Sequence, residues 1–228
     1  KEVILSAGAV ASPQILQVSG VGKKETLKEY GIEVFSDLHG VGGNLQDHLQ
    51  IRTIYKVRNT VTLNEKVNSF FGLAKMGFEY LFLKRGPLTM PPSQLGAFAS
   101  TSAEHSSPNI EWHVQPLSLD KFGEPLHKFN AITPAVCNLR PTSRGEISIK
   151  SPKADVHPTI KLNYLSTTED QKVAVEGLKF TRRIMSAKAL KRFEPKEWLP
   201  GKLAETDSEL LDAARELGTT IFHPVGTC

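Results

Sequence analysis

Cysteine is scarce: 228 residues contain only Cys137 and Cys228. Two distant thiols make neither a disulfide framework nor a paired metal-ligand spacing, so no metal site is expected, and they fit a reducing compartment. Long apolar runs are missing too. Nothing approaches the roughly 20 residues of a membrane span, and the nearest stretch, residues 67–83, carries Lys75 and Glu79 and reads as an amphipathic helix. One-signed charge is also lacking, with 28 Lys+Arg against 24 Asp+Glu, net +4. No basic block stands out, so no nucleic-acid partner is expected. Internal repeats and low-complexity segments are absent. The chain opens without Met, directly in a strand pattern, and stops in mid-motif, so an internal fragment is expected and its ends say nothing of location. What remains is ordinary globular composition, 39% hydrophobic and 23% charged, long enough for one large domain or two small ones.

Residues 1–9 form a continuous apolar run ending in the small residues Ala7, Gly8 and Ala9. Continuity rather than alternation predicts a strand buried on both faces of a parallel sheet, with small residues at its carboxyl end leaving room for a ligand. Ser12 and Pro13 predict a helix start, as N-cap and first helical residue. A second helix is expected over residues 23–30 with Gly31 as its stop, then a strand over residues 32–38. Residues 51–57 alternate as a strand. Asn64 is expected to cap a single helix over residues 65–84, ending at Gly86-Pro87. Residues 110–114, 131–139, 146–150 and 160–164 read as strands, and residues 117–129 as a long loop over a binding site. Capping boxes at Ser166–Glu169 and Thr206–Glu209 open two further helices. Successive strands with few helices between them predict an antiparallel sheet. The fold class is therefore α/β followed by α+β, with a boundary near residue 50.

Two stretches invite chemistry. Residues 40–48, Gly-Val-Gly-Gly-Asn-Leu-Gln-Asp-His, have three glycines in four positions but lack the Lys-Ser/Thr ending of a phosphate loop. Asp47-His48 reads as a solvated turn or as a metal or catalytic pair. At the other end, Pro224 holds His223 out of the helical region, and Gly226 permits a close backbone approach. His223 reads as a loop or core residue, or as an imidazole presented for proton transfer near neutral pH.

The segment Gly8-Ala9-Val10-Ala11-Ser12-Pro13-Gln14-Ile15-Leu16-Gln17-Val18-Ser19-Gly20-Val21-Gly22 resembles the second signature of the glucose–methanol–choline flavin oxidoreductases. Residues 40–48 resemble that family's Val-Gly-x-Asn-Leu-x-Asp-His element. Residues 139–145 are similar to its Arg-Pro-x-Ser-Arg-Gly strand entry, and residues 223–228 to the segment carrying its active-site histidine. The resemblance spans essentially the whole chain and leans toward the bacterial choline-dehydrogenase-like branch.

That resemblance implies a remnant of a Rossmann-like FAD-binding domain and a substrate domain with an antiparallel sheet backed by helices. Residues 1–50 would be the FAD-domain part, residues 51–218 the substrate domain, and residues 219–228 the start of an active-site segment returning to the FAD domain. It implies His223 as catalytic base, Ala7, Gly8, Ala9, Asn44 and Pro224 as FAD-binding residues, and a structural role near the flavin for Asp47-His48. The implied reaction is oxidation of an alcohol by hydride transfer to flavin N5, as in a choline-like dehydrogenase or oxidase. The implied partners are a small alcohol and oxygen or a quinone as electron acceptor. The implied location is the cytoplasm, peripheral contact with the inner membrane included. A flavin-dependent lyase of the same fold and a non-catalytic paralogue are the rival readings. Trp112, Tyr164 and Phe222 are candidates for an aromatic cage around a quaternary ammonium. The Gly-x-Gly-x-x-Gly fingerprint and the family's second active-site His or Asn are absent from these residues.

Overall fold

The computed structural model describes residues 2–228, and its tertiary contacts divide them into two units. One comprises Lys1–Leu49, Pro141–Gln171 and Thr220–Cys228; the other comprises Gln50–Arg140 and Lys172–Thr219. The division differs from a contiguous substrate domain over residues 51–218, because residues 141–171 group with the N-terminal segment.

In the first unit, residues 2–6 form no strand. A parallel strand exists only through hydrogen bonds to neighbours; no described residue pairs with this run, and Val3 and Ile4 stay more than 80% exposed. The helix Gly8–Val18 begins four residues before the expected Ser12 cap. Ser12 instead reaches back from inside the helix, its Oγ accepting from the Ala7 N–H at 3.1 Å. Pro13 therefore lies within the helix. Without an N–H it leaves the carbonyl of Ala9 unclaimed, and the Thr227 hydroxyl donates there at 2.6 Å. Further along, buried Gln17 donates to the carbonyls of Ile147 (3.0 Å) and Val41 (3.3 Å) and accepts from the Ile149 N–H at 2.9 Å. The helix Lys24–Glu29 follows as expected. The strand expected over residues 32–38 shrinks to Ser36–Asp37, parallel to Val21–Gly22. Glu146–Ser148 pairs antiparallel with Thr159–Lys161.

The second unit is built on a seven-stranded sheet. Its path runs Lys196–Leu199, Ile54–Lys56, Ala131–Asn138, Leu49–Arg52 and Gly218–Thr220, and Ile110–Gln115 also pairs with Ala131–Asn138 and carries Leu95–Ala99 beyond it. The pairings of Leu95–Ala99, Ile110–Gln115, Ala131–Asn138, Leu49–Arg52, Ile54–Lys56 and Lys196–Leu199 are antiparallel. Alternation sorts the side chains by face. Trp112 and Val136, opposite one another, meet the helix Thr168–Met185: the indole N–H donates to Thr181 Oγ1 at 2.8 Å and its ring lies 5.0 Å from Phe180. A Cβ on Gly177 would stand 3.1 Å from Val136, so glycine sets the approach of helix to sheet. Glu111, His113, Gln115 and Cys137 point from the other face.

The helix expected over residues 65–84 is two helices, Leu63–Val67 and Phe70–Leu83. Ser69 caps the second by accepting from the Gly72 N–H at 3.3 Å. A Cβ on Gly72 would stand 2.2 Å from the Lys66 carbonyl, so the break needs that glycine. Asn64 is no cap. Fully buried, it donates to Ser118 Oγ (2.9 Å) and the His127 carbonyl (3.0 Å) and accepts from the Ser118 N–H (2.8 Å), anchoring both ends of the loop expected over residues 117–129. Among the described residues no helix is long and apolar enough to cross a membrane.

Candidate active site

Residues 42–46 run between two other segments of the first unit. On one side Leu45 exchanges backbone hydrogen bonds with Gly145, and the Ile147 N–H donates to the Gly42 carbonyl. On the other, Gln46 exchanges a pair with Val225, and the Gly42 N–H donates to the Thr227 carbonyl at 2.9 Å. Glycine is required on both sides. At Gly42, φ is +84° and a Cβ would stand 2.2 Å from the Ile147 carbonyl oxygen; at Gly226, φ is +92° and a Cβ would stand 2.6 Å from that of Asn44. The glycine-rich loop is thus a clamp for the chain that carries His223.

Asp47 completes the clamp. It is 5% exposed, and its Oδ1 accepts from the His223 backbone N–H at 2.9 Å. Oδ2 accepts from the hydroxyls of Thr220, at 2.6 Å, and Tyr164. Thr220 Oγ1 in turn accepts from the Phe222 N–H at 2.8 Å, and Phe222 takes a left-handed φ of +64°. A buried carboxylate is tolerated where several donors surround it; here those donors hold the turn immediately before Pro224. The imidazole itself is left exposed. Its ring meets His48 edge to face, centroids 5.6 Å apart.

The structure brings most of the residues singled out in the sequence to this clamp, by different routes. His223 and Pro224 lie on its outer turn. Asn44, at φ +58°, donates from Nδ2 to the Gly226 carbonyl at 3.2 Å and accepts at Oδ1 from Arg144 Nε at 3.0 Å. Ala9 joins through its carbonyl and Thr227. Ala7 is the residue before the helix and Gly8 its first residue, with φ +79° and no atom within 4 Å of where a Cβ would stand. Open space beside a glycine at the head of an 11-residue helix suits the close approach of a large anionic cofactor such as FAD.

Sequence reasoning passed over Thr220, Thr227, Arg144 and the hydroxyl of Tyr164. Their signal is weak because each acts from a segment remote in sequence. Of the three cage candidates, Trp112 is only 2% exposed and committed to Thr181 and Phe180, so it offers no face to a ligand. Tyr164 is bound to Asp47 by its hydroxyl, and Phe222 is 72% exposed.

The chain matches known proteins along its length. Family models described as GMC oxidoreductase match residues 1–50 and 141–228. An oxygen-dependent choline dehydrogenase of Klebsiella pneumoniae (strain 342) is 38% identical over 228 residues, and an alcohol dehydrogenase [acceptor] of Pseudomonas putida 40%. Each match covers all of this chain and 41% of the relative, so the chain spans about two fifths of the length of the curated relatives it matches. Among solved structures, a formate oxidase of Aspergillus oryzae RIB40, studied for FAD modification, superposes with a TM-score of 0.90 at 24% identity, over 99% of this chain and 44% of that one. A fungal aryl-alcohol oxidase superposes at 0.79 with 21% identity, over 97% and 44%. Two matched family segments, together spanning more than half of the chain, and relatives aligned along all of it carry one assignment: the chain belongs to the GMC oxidoreductase family.

Proposed function

We propose that this chain is part of an FAD-dependent oxidoreductase acting on the CH–OH group of a small alcohol, with His223 as general base. The observation that carries this reading is the anchorage of His223: its main chain is fixed by Asp47, itself held by Thr220 and Tyr164, while the imidazole stays exposed. A structural histidine needs a fixed ring; a proton acceptor needs a fixed backbone and a free ring face. An alcohol O–H is a weak acid, so a C–H bond adjacent to it gives up hydride readily only as the proton leaves. A ring nitrogen of His223 would take that proton. When bound, FAD supplies the two-electron acceptor. Gly8 and Ala9, with Ala7 before them, would admit the cofactor beside the helix head, and the Asn44–Gly226 hydrogen bond would hold Pro224 and His223 in register with it. The relatives' names, choline dehydrogenase dependent on oxygen and alcohol dehydrogenase acting with an acceptor, support an alcohol substrate and oxygen or another acceptor such as a quinone.

The test is anaerobic stopped-flow reduction of the flavin in the full-length protein. His223→Ala should keep its FAD and its fold while reduction by excess alcohol slows by roughly two to four orders of magnitude. A flavin-replete variant reduced at the wild-type rate would remove the base from the mechanism.

A further inference from the structure

Glu111 and His113 alternate along the strand Ile110–Gln115, and Cys137 stands directly opposite Glu111 in the strand Ala131–Asn138. Alternation therefore puts all three side chains on one face of the sheet. One ligand atom from each lies within 4.8 Å of the others, and His113 Nε2 stands 2.9 Å from Glu111 Oε1. We propose that Glu111, His113 and Cys137 form a binding site for a zinc-class divalent ion.

The donor set selects the metal. A thiolate sulfur, an imidazole nitrogen and a carboxylate oxygen suit borderline-soft Zn²⁺, whereas Mg²⁺ and Ca²⁺ take oxygen ligands. Zinc ligands at about 2.0–2.3 Å in tetrahedral array stand roughly 3.3–3.8 Å apart, so side-chain rotation alone closes the present arrangement. Two hydrogen-bonded strands fix the backbone, so little ordering remains for the metal to impose. Cys137 is 1% and Glu111 8% exposed, while His113 is only half-buried, which gives the ion an entry path. Three protein ligands leave the fourth position for water, the pattern of an open zinc site. The nearby Arg52 guanidinium donates from Nη2 to Gln115 Oε1 at 3.2 Å and lies 4.3 Å from the Phe122 ring centroid. Binding is coordination without redox. The S–Zn bond replaces the thiol S–H, and His113 Nε2 gives its lone pair to the metal; the displaced protons pass to solvent. This site stands on the sheet face alone and is independent of the role of His223.

The experiment uses the full-length protein, stripped with a chelator and titrated with Co²⁺ and then Zn²⁺. The expected result is one equivalent of Co²⁺ with the intense visible bands of a tetrahedral site and a thiolate-to-metal charge-transfer band in the difference spectrum, both lost on adding Zn²⁺. Cys137→Ser should abolish the charge-transfer band, and Cys137→Ser, His113→Ala and Glu111→Gln should each weaken Zn²⁺ binding at least tenfold. Metal-free Glu111→Gln, which is isosteric, should melt near the wild-type temperature, so its loss of metal cannot be assigned to misfolding. The absence of stoichiometric Co²⁺ binding would overturn the proposal. So would a tetrahedral spectrum that persists in all three variants, since the ion would then sit elsewhere.

Discussion

At the scale of the residue, two side chains on the clamp act through the backbone they hold. Thr227 substitutes for the N–H that Pro13 cannot supply, donating to Ala9 O at 2.6 Å. Thr227→Val should cost about 1–3 kcal/mol by stranding that carbonyl, with Thr227→Ser close to wild type. Pro13→Ala restores the helical donor, so the loss from Thr227→Val should shrink in the Pro13→Ala background; urea denaturation of the four proteins in a double-mutant cycle measures the coupling. Asp47 accepts from one backbone N–H and two hydroxyls. Asp47→Asn keeps the acceptor for the His223 N–H but sets an amide against the hydroxyls of Tyr164 and Thr220. We expect slower flavin reduction at retained FAD content, because the turn carrying His223 loosens; an unchanged rate would mean that Asp47 serves stability alone. The sequence flagged Asp47 and His223 but could not join them, because they are 176 positions apart.

At the scale of the element, local chemistry was legible where the partner was local. The Thr206–Glu209 capping box forms as written, Thr206 Oγ1 accepting from the Glu209 N–H and Glu209 Oε2 from the Thr206 N–H. Thr206→Ala should cost about 1 kcal/mol, read by thermal melting, and Thr206→Ser little. The cap of the helix Thr168–Met185 falls one residue later than the box at Ser166 suggested, with the Thr167 hydroxyl accepting from the Asp170 N–H at 3.3 Å. The carboxylate of Asp170 accepts from the backbone N–H groups of Thr142 and Ser143, both at 2.8 Å. Glycine positions carried more than the sequence revealed. Gly226→Ala combines a left-handed φ with a Cβ 2.6 Å from the Asn44 carbonyl, so a loss of about 2–4 kcal/mol is expected, with release of the His223 segment. Thermal melting and flavin content together check it: a variant that melts like the wild type would show that the clamp yields without cost. The strands Leu95–Ala99 and Lys196–Leu199 escaped notice because their pairing with Ile110–Gln115 and Ile54–Lys56, not their composition, makes them strands.

At the scale of the whole molecule, Asp170 links stability to pH. Burial alone would raise its pKa, but hydrogen bonds from Ser143 and Thr142 outweigh burial and hold it below the ordinary aspartate value. A lowered folded pKa contributes stability that is fully present above the unfolded value, near 3.9, and is lost as pH falls through the folded one. Melting temperatures should therefore fall on acidification below about pH 4, and Asp170→Asn should flatten that limb while lowering stability at neutral pH; an unaltered acid limb would assign the acid sensitivity to other carboxylates. A second expectation concerns the cofactor. Residues 1–228 contain no Gly-x-Gly-x-x-Gly fingerprint, and purified alone they should not retain FAD, because the pyrophosphate lacks the helix N-terminus that such a fingerprint opens. A stoichiometric flavin band in their visible spectrum would contradict this.

The sequence by itself determined the family, through four ordered motifs, together with the antiparallel sheet, the helix start written in the Thr206–Glu209 capping box and the histidine before proline. Those features depend on neighbours within a few residues or on spacing, which a linear pattern records. Only the tertiary structure decided that Pro13 sits inside a helix, that Asn64 is a buried anchor and that the glycine-rich loop clamps residues 223–227. It alone set Cys137 beside Glu111 and His113. Each of these depends on a hydrogen bond or close approach between residues far apart in the chain, and such pairings are fixed by how buried polar groups find partners when segments pack, not by the propensity of any one segment.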